Sequence, residues 1–440
     1  MTLAQVQDGG LIESTRLAAM PDAFTARNGF VYGLLGLPLA FVALPLYVIL
    51  PNHYAREFGM SLGLLGAILL GARLFDAFID PLLGRWSDRL FTRSARAVLA
   101  LGAAAAVVLA AGFTLLFFPL VRSPAALAVW AGVMLVITYA AYSALSVSHQ
   151  SWGAMLGGDE TQRSRIVAWR EGLGLVGVVL ASITPVALGL PASTALFFIA
   201  LVVGWLAWRR APRPVTRKTG ALVPVGGLWT PLRHAAFRRL LAVFMLNGIA
   251  SAVPATLVLF FIQDRLQAAS AMEPVFLGSY FVSAALSIPL WLAVVRRIGL
   301  ARTWLVGMLL AITVFAWTTQ LGVGDTAAFV LVCALSGAAL GTDLALPGAM
   351  LAGLIQAHGQ SGKSEGAYFG WWNFATKLNL ALAAGLALPL LGLFGYAPGA
   401  RDASALAALV IAYCVLPCVL KLAAAATLYF SIIQPARPSP

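Results

Sequence analysis

The sequence predicts an all-α membrane protein of about twelve transmembrane helices in two six-helix bundles, and three observations predict it. Of the 440 residues, 61% are hydrophobic and 10% charged, with a mean hydropathy of +0.90; a soluble domain carries about 25% charged residues. Apolar runs of bilayer-spanning length, about 20 residues, recur near 30–50, 61–83, 97–119, 125–150, 166–188, 191–208, 238–262, 274–295, 302–320, 326–353, 366–393 and 405–432. The basic residues then fall on alternate sides of that count. With the N-terminus inside, one set of loops holds Arg85, Arg89, Arg93, Arg96, Arg163, Arg165, Arg170, Arg209 to Lys218, Arg233, Arg238, Arg239, Arg296, Arg297, Arg302 and Lys363, while the other holds only Arg56, Arg122, Arg265 and Arg401. This is the positive-inside pattern. It also accounts for the net charge of +13, because clustering in short loops between apolar runs is a membrane signature and excludes a nucleic-acid-binding face.

The elements follow in order. Residues 1–28 are mixed and polar, with Asp8, Glu13, Arg16, Asp22 and Arg27 and no short apolar core, so no cleavable signal is expected and the N-terminus is expected to stay in the cytoplasm. The expected division is a cytoplasmic segment 1–29, an N-terminal bundle 30–208, a basic linker 209–237, a C-terminal bundle 238–432 and a cytoplasmic tail 433–440. Pro and basic residues suit that linker to an anionic leaflet. Helix 1 holds Gly33, Gly36, Pro38 and Pro45, residues that permit kinks and close packing in a spanning helix.

Helix 2 carries the main anomaly. Arg73, Asp76 and Asp80 stand at i, i+3 and i+7, so all three project from nearly one face. Each costs about 2.5–3.5 kcal/mol if left unpaired at the bilayer centre. Two carboxylates one turn apart can supply oxygens to a small cation or share a proton, and either makes a coupling site; alternatively Arg73 neutralises one aspartate and the cluster pins the helix. Pro81 should kink the helix after Asp80, and counting places Asp80 toward the cytoplasmic end. The loop after helix 2 holds Gly84, Asp88, Arg89, Arg93 and Arg96. Ser146 and His149 close helix 4, where His149 reads as a capped boundary residue or a proton relay. Asp343 in helix 10 either pairs with Lys377 or meets a substrate. Helix 11 carries Trp371, Trp372, Asn373 and Lys377; the tryptophans stack on a ligand or anchor at an interface, and Lys377 needs an anionic or carbonyl partner at its depth. Lys421 in helix 12 is expected to snorkel to a headgroup. Cys333, Cys414 and Cys418 lie within apolar runs and read as packing residues.

Three stretches carry a family resemblance. Ala72-Arg-Leu-Phe-Asp-Ala-Phe-Ile-Asp-Pro-Leu-Leu-Gly-Arg-Trp-Ser-Asp-Arg89 resembles the signature of the melibiose permease-like group, the glycoside, pentoside and hexuronide:cation symporters of the major facilitator superfamily. Gly362-Lys-Ser-Glu-Gly-Ala-Tyr-Phe-Gly-Trp-Trp-Asn-Phe-Ala-Thr-Lys377 looks like that group's entry into helix 11, and Asp159 to Arg170 is similar to its loop between helices 4 and 5. The resemblance implies the major facilitator fold, a cation site at Asp76 and Asp80, Lys377 lining a central substrate cavity, and a gating loop of Gly84, Asp88, Arg89 and Arg93; from the residues themselves, that cavity is also expected to include Asn373, Asp343, Arg73, Trp372, Ser146 and His149. The sequence departs where the group has its sugar-binding aspartate, here Ala40, and its further acids on helices 4 and 10, here Ser146, Gly353 and Gln356.

The function expected is secondary active transport, the symport of H+ or Na+ with a small polar solute such as a sugar or glycoside by alternating access. The alternative is transport of an amphiphile, lysolipid or drug-like compound. An enzyme is not expected, because no His/Glu metal pair or Ser/His arrangement appears at membrane depth. The coupling ion replaces any cofactor, the partners are a small-molecule substrate and the lipid bilayer without nucleic acid, and the chain is expected to be monomeric. The expected location is the bacterial inner membrane, multi-pass, with both termini cytoplasmic.

Overall fold

The computed structural model describes residues 24–60, 62–214, 227–396 and 399–435. Most of the N-terminal segment, the middle of the linker with Arg217 and Lys218, and residues 436–440 lie outside them. Twelve long helices account for most of the described residues: α1 Ala26–Leu44, α2 Leu62–Arg93, α3 Ala95–Phe117, α4 Pro124–Met155, α5 Glu160–Pro185, α6 Ala187–Arg210, α7 Ala235–Arg265, α8 Glu273–Ile298, α9 Leu300–Thr318, α10 Thr326–Ala357, α11 Glu365–Leu393 and α12 Ala403–Ile433. Among the described residues ten of them are long and apolar enough to cross a membrane. The remaining two, α2 and α11, carry Asp76, Asp80 and Lys377 within their apolar stretches.

Local chemistry sets the ends. Ser94, Ser123, Asp159 and Asp402 each accept a backbone N–H three residues on, capping α3, α4, α5 and α12. Gly189, at φ +80°, turns the chain between Pro185 and Pro191, a backbone conformation glycine adopts without steric cost. Pro45 opens a π-helical stretch, Pro45–Ile49, that leads from α1 into Leu50–Glu57.

The expected gating loop is not a loop. Gly84, Asp88, Arg89 and Arg93 are all helical, and only Ser94 separates α2 from α3. Nothing after Gly84 favours a turn until Ser94 offers its hydroxyl to the next helix, so α2 continues as a solvent-facing extension with Arg89 and Arg93 exposed.

The large buried rings gather separately in each half. In the N-terminal half Trp152, Trp208, Tyr139, Phe113 and Phe197 are buried together. The C-terminal half has one cluster around Trp304, Phe237 and Tyr368 and a second around Phe261, Phe276, Phe329 and Tyr413. Arg89, Arg93, Arg96, Arg209, Arg210, Arg296 and Arg297 are exposed at the end of the bundle where α2 finishes and α11 begins. That end is termed the basic end, and the opposite one the far end.

Candidate ion and substrate site

The site forms where α2 and α11 cross. The crossing is close because it is built from glycine: a Cβ on Gly84 would lie 1.8 Å from the Gly366 carbonyl oxygen, and one on Gly370 would lie 2.6 Å from that of Asp80. That approach carries Lys377, two turns further along α11, onto the acidic face of α2. Its ammonium lies 2.7 Å from Asp76 Oδ2 and 2.8 Å from Asp80 Oδ2, and it donates to Ser143 Oγ at 2.9 Å. Ser143, on α4, donates in turn to Asp76 Oδ1 at 2.8 Å.

The two acids are not equivalent. Both oxygens of Asp76 have partners, whereas Asp80 is fully buried and its Oδ1 has none among the described residues. A buried carboxylate oxygen left unpaired is costly, and a proton or a small cation there removes the cost. Counting along the sequence placed Asp80 near the helix end; the glycine crossing instead seals it against α11.

Above this cluster a cavity of about 390 Å³ opens between the halves. Of the expected substrate residues, Lys377, Asn373, Asp343, Trp372, Ser146 and His149 all line it. Arg73 does not: it is exposed on α2. His149 contributes only to the wall. Its ring is fully buried, stacks on Tyr32 at 4.4 Å and meets the Tyr32 carbonyl at 2.9 Å, while the Tyr32 hydroxyl donates to the His149 carbonyl. Trp372 stacks on Phe244 at 3.8 Å, and Trp371 donates to the Leu228 carbonyl at the end of the linker. Ala40 lines the cavity too, so the missing aspartate of the related symporters leaves an apolar patch in this wall.

Three placements correct the sequence reading. Arg170 is not in a loop but within α5, where it pairs with Glu171 and both line the cavity. The signal was available: two adjacent charges stand inside the apolar run 166–188. Asp343 pairs with Lys421 at 3.1 Å, not with Lys377, and accepts from Trp304 Nε1 at 2.8 Å. Lys421 therefore does not reach a headgroup; it is 5% exposed and donates to Asn247 Oδ1 at 2.6 Å. Its charge is compensated inside the C-terminal half, which removes the reason to snorkel.

The halves are fastened at the basic end. Asp88 accepts from the backbone N–H groups of Gly366 and Ala367 at 2.6 and 2.9 Å, capping α11. Glu160 does the same for α9, accepting from Leu300 N at 2.9 Å. Arg163 donates to Gln356 Oε1 at 2.9 Å. Two carboxylates of one half thus cap two helix N-termini of the other, where unsatisfied N–H groups and the helix dipole favour negative charge.

The comparisons with known proteins agree with this architecture. The model of the MFS/sugar transport protein family matches residues 31–434. The chain belongs to that family, and is a multi-pass membrane transporter of the major facilitator superfamily, not an enzyme. Over 160 residues it is 27% identical to the Escherichia coli (strain K12) protein named "Putative glycoside/cation symporter YagG", a match covering 36% of this chain and 34% of that relative's length. The fold is similar to that of "a bacterial homologue of iron transporter ferroportin in outward-facing state", with a TM-score of 0.69 at 16% identity over 91% of this chain and 98% of the other. It is also similar to that of a single-residue variant of the E. coli fucose:proton symporter FucP, with a TM-score of 0.65 at 15% identity over 89% and 98%.

Proposed function

We propose that this protein is a cation-coupled symporter of a small polar solute, with Asp76 and Asp80 as the coupling acids and Lys377 as a tethered cation that holds their place between turnovers. The observation that carries the reading is the Lys377–Asp76–Asp80 cluster at the crossing of the two halves, with one Asp80 oxygen unpaired among the described residues. Three of the groups that hold the ammonium are the two carboxylates and Ser143, so a bare Na+ has to displace Lys377 to reach its oxygens. A proton needs only Asp80 Oδ1, and the geometry therefore favours H+.

The cycle follows from where charge sits. Protonating Asp80 removes one of the two carboxylates that hold Lys377, and the ammonium, still on Asp76, can turn a donor toward a substrate oxygen in the cavity beside Asn373 and the Arg170–Glu171 pair. Substrate departure returns Lys377 to the acids and expels the proton. Taking the basic end as cytoplasmic, by the positive-inside rule, the described arrangement is closed to the cytoplasm by Asp88, Glu160 and Arg163. Tyr142, Gln150, Asn373 and the Arg170–Glu171 pair in the cavity wall favour a polar solute over the amphiphile alternative.

The test is counterflow and gradient-driven uptake in proteoliposomes across a panel of sugars and glycosides, with pH and Na+ gradients imposed separately. Uptake should follow the pH gradient. Asp76→Asn and Asp80→Asn should lose accumulation at least tenfold while retaining exchange. Wild-type accumulation in both variants sinks the coupling role, and accumulation driven by Na+ at fixed pH overturns the choice of ion.

A further inference from the structure

The C-terminal half contains a second cavity, of about 480 Å³, that the transport cycle does not use. It lies inside one bundle, walled by α7, α8, α9, α10 and α12. Its volume and make-up are those of a ligand pocket, apolar and aromatic with a few convergent polar groups. Aromatic rings come from Phe276, Tyr280, Phe281, Phe315 and Tyr413. At one end stand Asp343 and Lys421, the only charged residues in the wall among the described residues, and Asp343 also lines the central cavity.

The pair presents its two members unequally. Lys421, with 7% of its side chain exposed, turns its ammonium onto Asn247 and Asp343, whereas the Asp343 side chain is 15% exposed. Asp343 takes one strong N–H from Trp304, the Lys421 ammonium at 3.1 Å and a long contact from Ser251 at 3.4 Å, and a carboxylate has about four acceptor positions. A ligand entering the pocket therefore meets a carboxylate with capacity to spare, framed by aromatic rings, whose electron-rich faces attract cations. An anionic end would meet the same carboxylate and be repelled.

From this arrangement we infer that the pocket is a binding site for an aryl or alkyl amine, its apolar body among the rings and its protonated nitrogen on Asp343. All of its walls belong to one half, so the site persists whichever way the halves rock. The inference does not depend on the symport reading, since binding at equilibrium requires no gradient.

The experiment uses the full chain in lipid nanodiscs and three probes that differ only at the polar end: 3-(1-naphthyl)propylamine, the corresponding alcohol and the corresponding carboxylate. Binding is read by equilibrium dialysis against empty nanodiscs. The expected result is saturable binding of the amine, at least tenfold tighter than that of the alcohol or carboxylate. Ser336→Phe, which fills the pocket, should abolish it, and Asp343→Asn should weaken it at least tenfold. Ala40→Trp, which fills the central cavity instead, should leave it unchanged. Monodisperse elution checks the fold of each variant; if Asp343→Asn fails that check, Ser336→Phe and Ala40→Trp decide the matter between them. Amine binding that survives Ser336→Phe, or is lost in Ala40→Trp alone, overturns the assignment, as does tighter binding of the carboxylate.

Discussion

At the scale of single residues, the protein keeps two ammonium groups at membrane depth and treats them differently. Lys377 is held by three short contacts to groups that can each let go, whereas Lys421 is buried in a closed pairing with Asp343 and Asn247. Lys377→Arg should therefore fail. A planar guanidinium cannot point three donors at Asp76, Asp80 and Ser143 in the same way, and uptake should fall at least tenfold with the protein still folded, checked by transport assay beside elution profile. Lys421 is expected to matter for stability instead. Lys421→Met leaves Asp343 as an uncompensated buried charge and should cost about 3–5 kcal/mol, while Lys421→Met with Asp343→Leu should restore most of it. Melting temperatures of the single and double variants in detergent check this, and equal losses in both would refute the pairing.

At the scale of elements, the crossing of α2 and α11 does most of the positioning. Gly366→Val should prevent it, because even the first carbon of a side chain would lie 2.0 Å from the Gly84 carbonyl oxygen. Asp88→Ala should loosen it by removing two charge-assisted hydrogen bonds, each worth about 1.5–3 kcal/mol. Spin labels at Thr92 and His358, exposed at the basic end of the two halves, should report longer distances in both variants than in the wild type. Unchanged distances would mean that the fastening lies elsewhere. The helices themselves were legible in the sequence, since a bilayer span is a direct consequence of apolar run length; every expected run is met by a helix, though α2 runs ten residues past its expected end at 83, to Arg93. So was the acidic face of α2, because spacing alone places Asp76 and Asp80 together. What spacing cannot show is which distant residue answers a buried charge. Asp343 and Lys421 are 78 residues apart, and only helix packing reveals that they meet. Arg170 was misplaced for another reason: counting charges by loop treats an arginine that faces inward from within a helix as an exposed one.

At the scale of the whole molecule, two halves share an interface whose middle is ionic and whose basic end is fastened by caps. The rings buried around Trp152 and Trp208 and those around Trp304 and Phe261 lie on opposite sides of that interface. Asp88→Ala and Glu160→Ala remove caps from different helices without a shared partner, so their effects on opening should be close to additive, as a double-variant cycle of the same spin-label distances would measure.

The caps have a consequence for how the protein responds to its medium. Among the described residues no ion pair joins the halves at the basic end; the carboxylates of Asp88 and Glu160 rest on backbone N–H groups, and Arg163 on the neutral amide of Gln356. Mobile salt competes with exposed opposite charges, over a screening length of about 10 Å at 0.1 M, but has little purchase on a buried carboxylate such as Asp88, seated at a helix terminus. The Asp88 cap should accordingly hold nearly as well in brine as in dilute buffer.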